Sequence, residues 1–160
     1  MTQGITQDTT EILLVAVPAT DGEMAYDSSH RVVYYNGSRV VVLTDIIEDN
    51  TFTMQGTVRT MIGSTRWYIE TNVTIESIRV AVGTAPTGAA IICDVNKNGT
   101  TVYTTQSNRP TVAASGFTQL ATAPDVTTAV AGDYFTIDVD QVGSTIAGAD
   151  LTVTMRVRRT

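Results

Sequence analysis

Leu151, Val153, Met155 and Val157 alternate with Thr152, Thr154, Arg156 and Arg158. An apolar residue at every second position, over so long a run, fits a strand with one face on a core and one in water. A helix of the same residues would scatter its apolar groups around the axis, with nothing to bury as a stripe. Phe135, Ile137 and Val139 repeat the pattern against Thr136, Asp138 and Asp140. Ile91, Cys93 and Val95 form a further inward set, and Trp67 and Ile69 alternate with Arg66, Tyr68 and Glu70. Val73 and Ile75 point one way, and Ile78, Val80 and Val82 continue after a slip of phase at Glu76-Ser77. A slip by one residue flips side chains between faces, so a β-bulge or bend is predicted there.

Composition agrees with the pattern. Only 16% of the 160 residues are charged, well below the usual quarter, and Thr, Val, Ala and Gly fill the difference. Val and Thr are stiff at χ1 and fit a pleated surface. The only helical turn suggested is a short one near residues 127–131. The prediction is an all-β protein, an antiparallel jelly-roll or β-sandwich of roughly eight strands from residue 63 onward. Residues 1–62 form a separate attachment region: a polar arm, then the strand-length apolar run Ile12, Leu13, Leu14, Val15 to Val17, then a β-hairpin. Asn36-Gly37, between Arg31–Tyr35 and Ser38–Leu43, and Asn98-Gly99 are both signals for tight hairpin turns, because a type I′ turn needs positive φ at both central residues. Residues 44–62 fit a small domain, a linker or strands of the sandwich equally well.

The bulk numbers exclude several function classes. A net charge of −6 and a pI near 4.5 leave no basic surface of the kind that displaces counterions from nucleic acid. The one basic cluster, Arg156, Arg158 and Arg159, reads as a charged strand end rather than a dock for an acidic partner. No apolar run approaches the roughly 20 residues that span a bilayer. The first residues, Met-Thr-Gln-Gly-Ile, lack the basic and apolar regions of a secretory signal, so maturation in a cytoplasm is expected. Cys93 is the only cysteine; no intrachain disulfide can form, and a buried, inert thiol is expected.

Asp94-Val-Asn96-Lys-Asn98-Gly99 matches the start of an EF-hand calcium loop, but its twelfth position is Thr105 instead of Glu. A hairpin turn is the better reading. His30 is the only histidine and lies in the polar stretch Asp27–Arg31, with no nucleophile beside it and no further zinc ligands. Asp138 and Asp140 share a strand face but look like solvent-side residues rather than a glycosidase pair. Asn36, Asn72 and Asn98 lie in Asn-x-Ser/Thr sequons without a secretory signal. No enzymatic activity, cofactor or metal is expected. Exposed aromatics able to stack on sugars reduce to Tyr68 and Tyr103. An apolar outer surface around Ala90 and Ile92 points to contact with protein. Candidate assembly contacts are therefore Ile12, Leu13, Leu14, Val15, Tyr34, Tyr35, Ala90 and Ile92.

Two segments carry a resemblance. The stretch from Pro18 to Val42, with Gly22, Tyr26, Tyr35, Asn36, Gly37 and Ser38 at its core positions, resembles a short module of tailed-phage virion proteins. From about residue 65 to the end, Val82-Gly-Thr-Ala-Pro-Thr-Gly88, Asp94–Thr100, Ala131-Gly-Asp-Tyr134 through Thr145, and Asp150–Val153 resemble a jelly-roll domain of phage head and tail proteins. The resemblance implies a homotrimer on the surface of a virion, assembled in the host cytoplasm. The short chain, with no shaft of repeats or coiled coil, suggests a capsid decoration (cement) protein bridging major capsid subunits. The other reading is a short tail or head fibre that binds a host receptor or glycan.

Overall fold

The computed structural model describes the backbone of residues 24–26, 32–35 and 40–42, and backbone and side chains from residue 46 to residue 160. The chain divides into two compact units, Met1–Ile46 and Ile47–Thr160. In the first, β1 (Met24–Tyr26), β2 (Val32–Tyr35) and β3 (Val40–Val42) form an antiparallel sheet in that order. The expected hairpin is present as β2 and β3. Its register sets Tyr35 opposite Val40, so four residues separate the paired positions instead of the two of a turn centred on Asn36-Gly37. Ile12, Leu13, Leu14, Val15, His30 and the Asn36-Gly37 turn lie outside the described residues, as do the side chains of Tyr34 and Tyr35.

The second unit is the predicted antiparallel sandwich, of the jelly-roll kind. Its first sheet runs β4 (Ile47–Thr57), β13 (Ala149–Arg159), β6 (Val73–Ala81), with β10 (Thr118–Leu120) and β11 (Thr128–Ala129) on the far side of β6. Its second sheet runs β5 (Trp67–Tyr68), β12 (Tyr134–Gln141), β7 (Ile91–Lys97), with β8 (Thr100–Thr101) and β9 (Thr111–Val112) both on β7. The unit boundary corrects the sequence expectation of a break at residue 63. β4 pairs with β13 from Ile47 opposite Arg158 to Thr57 opposite Ala149, so residues 47–62 belong to the sandwich. The alternation in β4 had been masked by its threonines, which occupy the outer face while Phe52 and Met54 turn inward.

The period-two sets land where they were predicted. Leu151, Val153, Met155 and Val157 are buried against Ile78 and Val80 in the first sheet, and Ile91, Cys93, Val95, Phe135, Ile137 and Val139 supply the second sheet's inner face. The phase slip at Glu76 is a bulge: Arg156 pairs with Ser77 and Val157 with Ile75, leaving Glu76 unopposed. The predicted helical turn near residues 127–131 is instead β11, whose Thr128 and Ala129 pair with β6. Among the described residues the only helical segment is the 3-10 turn Gln106–Asn108.

Asn98-Gly99 forms the predicted two-residue turn, joining Lys97 to its partner Thr100 with φ of 53° and 81°. Its position is fixed from across the sheet. Asn98 Nδ2 donates to Asp133 at 2.7 Å, while its Oδ1 accepts from the Tyr134 N–H at 3.0 Å. The calcium-like sequence is thus explained by turn chemistry and cross-strand hydrogen bonding.

Candidate assembly surface

The two sides of the sandwich differ. On one, β9 lies against β10 and β6, Val112 is fully buried, and the Thr111 N–H donates to Gln119 at 2.7 Å. The sheets are joined there. On the other side the edge strands are β4 and β5, and between them a slot of about 270 Å³ reaches the core. Phe52 and Trp67 stand half-buried at its mouth, with Phe135, Val153 and Met155 behind them. Trp67 and Phe135 meet with ring centroids 5.8 Å apart. The slot is below the usual range of small-molecule pockets, which begins at about 300 Å³. Its lining is apolar and threonine-rich, and no titratable side chain lines it.

After β4 the chain crosses from the first sheet to the second. Val58, buried, donates its N–H to Gly148, and Met61 exchanges backbone hydrogen bonds with Val139 on the outer edge of β12. Gly63 then passes so close to β12 that a Cβ on it would stand 2.1 Å from the Ile137 carbonyl oxygen. Its N–H donates to Asp138 Oδ1 at 2.7 Å, and Asn96 donates to the second oxygen at 2.9 Å. Asp138 thereby anchors the crossing segment, a duty that its alternation pattern did not reveal. Asp140 is exposed and ion-paired with Arg109. Each of the two carboxylates thus has its own structural partner.

β4 itself is a long strand that, among the described residues, pairs on one side only, with β13. Natural edges are usually guarded by charge, proline or a bulge. Here the guards sit at the ends: Glu48 and Asp49 at one, and at the other Gly56, in a positive-φ bulge, whose N–H donates to Asp150 at 2.8 Å. From Asn50 to Gln55 there is neither charge nor proline. The acids at the first end are matched within the sheet. Arg156 binds Asp49 through two hydrogen bonds of 2.8 Å, Arg159 pairs with Glu48, and Arg158 binds Glu76. The basic cluster is therefore the charged strand end that the sequence suggested. The Arg156 guanidinium holds the Asp49 carboxyl below its ordinary range, and Arg158 does the same for Glu76. Such exposed pairs add little to stability and weaken in salt.

The remaining expected contacts are less open than supposed. Ile92 is half-buried between Thr111 of β9 and Gln141 of β12. Ala90 is also half-buried, and its carbonyl accepts from Gln141 at 2.9 Å. β9 and the end of β12 flank the start of β7 within the sheet and leave both residues half-buried. Larger exposed apolar side chains are elsewhere: Ile47, Ile62 and Tyr68 on the slot side, Phe117 and Leu120 on the closed side. Tyr103, expected at the surface, is fully buried, and its hydroxyl reaches the Thr122 carbonyl at 3.3 Å. In its place Tyr134 joins Tyr68, with centroids 5.5 Å apart and the Arg66 guanidinium 4.4 Å from the Tyr134 ring centroid.

Cys93 is wholly buried, and desolvation together with Asp140 and Asp94 pushes its thiol up to about 12. Asp94, on the outer face of β7, accepts from the Val95 N–H at 2.8 Å and the Thr101 hydroxyl at 2.7 Å. Burial nevertheless raises its pKa, outweighing these bonds. A carboxyl whose folded pKa is raised binds its proton more tightly in the folded state, so its contribution is complete below the unfolded pKa and is lost as pH rises through the folded one. Asp94→Asn should therefore gain stability relative to the native protein as pH rises from about 3 to about 7, starting from the ordinary Asp pKa near 3.9. Urea midpoints across that range measure it; parallel curves would contradict the burial effect. No group of three or more His, Cys, Asp or Glu among the described residues is placed to hold a metal ion.

No protein-family model matches the chain, and comparison with curated proteins and with solved structures finds no match either.

Proposed function

We propose that this chain is a non-enzymatic structural protein of a tailed-phage particle, a trimeric decoration protein that bridges and stabilises major capsid subunits. The observation that supports the reading is that the segments carrying the resemblance fall on the strands and turns of an antiparallel sandwich. Asp94–Thr100 and Ala131–Tyr134 are the two turns that hold each other through Asn98 and Asp133. Asp150 ties the end of β13 to the bulge at Gly56. The resemblance is thus carried by residues with an evident role in folding, which favours common architecture over chance similarity. An uncovered edge strand beside an apolar slot is the kind of surface through which β-proteins join neighbours.

In this reading residues 1–17 add the chain to capsid or sister subunits. Removing them is expected to abolish attachment to heads, measured as the amount of protein co-sedimenting with particles at saturation. A truncated protein that still saturates heads would overturn the role of the arm. The second reading, a short fibre that binds a host glycan, is favoured by one observation, the paired Tyr68 and Tyr134 rings with Arg66 beside them. Tyrosine faces of this sort stack on sugar rings. Purified protein that blocks phage adsorption, and loses the effect on Tyr68→Ala, would select the fibre reading over decoration.

A further inference from the structure

We propose that the β4 edge is a homodimer seam, at which β4 of one protomer pairs antiparallel with β4 of a second copy about a two-fold axis through Phe52. The inference goes beyond the virion reading and does not depend on it, since it follows from the strand's own sequence and surroundings.

Three observations converge on a second copy as the occupant. First, the strand is complementary to itself in one register. With Phe52 opposite its own copy, Thr51 faces Thr53, Asn50 faces Met54, Asp49 faces Gln55 and Glu48 faces Gly56. The two acids at the strand's start thus meet uncharged residues, and like charges lie at opposite ends of the seam. Sliding the strands until Asp49 faces its own copy would put acid against acid, which is destabilising for directly opposed residues. Second, this register preserves facing. Residues directly opposite in an antiparallel pair share a side of the sheet, so the inward Phe52 and Met54 of both copies stay on the core side and the exposed threonines stay outside. Third, the slot faces the seam. Phe52 and Trp67, which pack on the core, stay half-buried at this slot, and a copy of Phe52 across the two-fold would continue the apolar layer that ends there. An isologous contact of this type is the commonest in homo-oligomers. Trimers held by other surfaces would be linked in pairs through the same seam.

The test uses the full-length chain and sedimentation velocity over a concentration series. Thr51 and Thr53 are exposed on the outer face of β4 and neither belongs to the buried core, Thr51 meeting the Thr154 hydroxyl at 3.2 Å. Thr51→Lys with Thr53→Lys sets lysine against lysine twice across the seam, and the expected result is a mass half that of the native protein, with the dissociation constant raised at least tenfold. Thr51→Lys with Thr53→Glu sets lysine against glutamate twice, and is expected to restore the native mass in low salt. As an independent measurement, Thr51→Cys with Thr53→Cys is expected to give a covalently linked pair of chains on mild oxidation, Cys93 being buried. A native protein that is monomeric at every concentration, a native mass unchanged by the double lysine variant, or a double cysteine variant that forms no cross-link would overturn the proposal. Unchanged circular dichroism of the charge variants shows that the seam, and not the fold, has been altered, while the double lysine variant melts lower and independently of concentration.

Discussion

Phe135→Ala is expected to cost about 3–5 kcal/mol of folding stability, the largest effect of any single substitution argued from this fold. Phe135 is 2% exposed and sits in β12, paired on one side with Trp67 and on the other with Lys97. Its ring packs on Trp67 and forms the inner wall of the slot. Truncation removes the buried ring and leaves a void that opens into the slot, with partial collapse by Trp67 setting where in the range the loss falls. Against a typical total stability of about 5–15 kcal/mol for a domain, the remaining margin is small. The check is a urea or thermal melt: the midpoint should fall with little change in the denaturant slope. A loss under about 1 kcal/mol would mean that the Trp67–Phe135 contact carries little of the stability, in conflict with the cost of core truncation.

Gly63→Ala is the second. The added methyl has no space, since its carbon would stand 2.1 Å from the Ile137 carbonyl oxygen and 2.8 Å from the carbonyl carbon. These are backbone atoms of a central strand and cannot swing aside. The segment from Met61 to Gly63 must instead lift from β12, breaking the Gly63 hydrogen bond to Asp138 and straining the Met61–Val139 pair. Overpacking of this sort costs about 1–3 kcal/mol and occasionally more, and loss of the Gly63 hydrogen bond to Asp138 adds to it. Amide hydrogen exchange locates the effect. Protection should drop first at Met61, Gly63 and Val139 while the β6–β13 ladder stays protected. Uniform loss across both sheets would mean that the crossing segment does not respond as a local unit.

The alternating strands were legible because their chemistry is set by one rule, apolar residues at every second position with a wet opposite face. β6, β7, β12 and β13 obey it, and even the bulge at Glu76 showed as a phase error. β4 was legible only as the short run Thr51–Met54, because its inward Phe52 and Met54 are flanked by threonines and Asn50, and the strand borders a slot instead of a closed core. The turn at Asn98-Gly99 was legible from local sequence, whereas its clamp to Asp133 depends on a contact across 35 residues. Tyr103 and Asp138 were misjudged for a related reason. Tyr103 follows a two-residue strand too short to show a period. Asp138 sits on the solvent face by pattern, but the crossing segment folds over it. The candidate assembly surface was the least legible feature, because it is defined by which edges the described strands leave unpaired and not by any residue type.

The order of strands also sets a timetable for the ribosome. β13 lies between β4 and β6, so the first sheet has no middle until residues 149–159 have been made. Asp49 then meets Arg156 across 107 positions of chain, and Thr51 meets Thr154 across 103. Closure of such long loops is slow, and it comes late in the folding of a chain dominated by distant pairings. Until it happens β4 has no strand partner among the described residues. A nascent or truncated chain that lacks residues 149–159 therefore carries Phe52 and Met54 on an unsupported strand, open to any other exposed edge. Only a chain that has completed β13 can present β4 as a rigid edge, so the sandwich's final strand would license its first for the pairing proposed above.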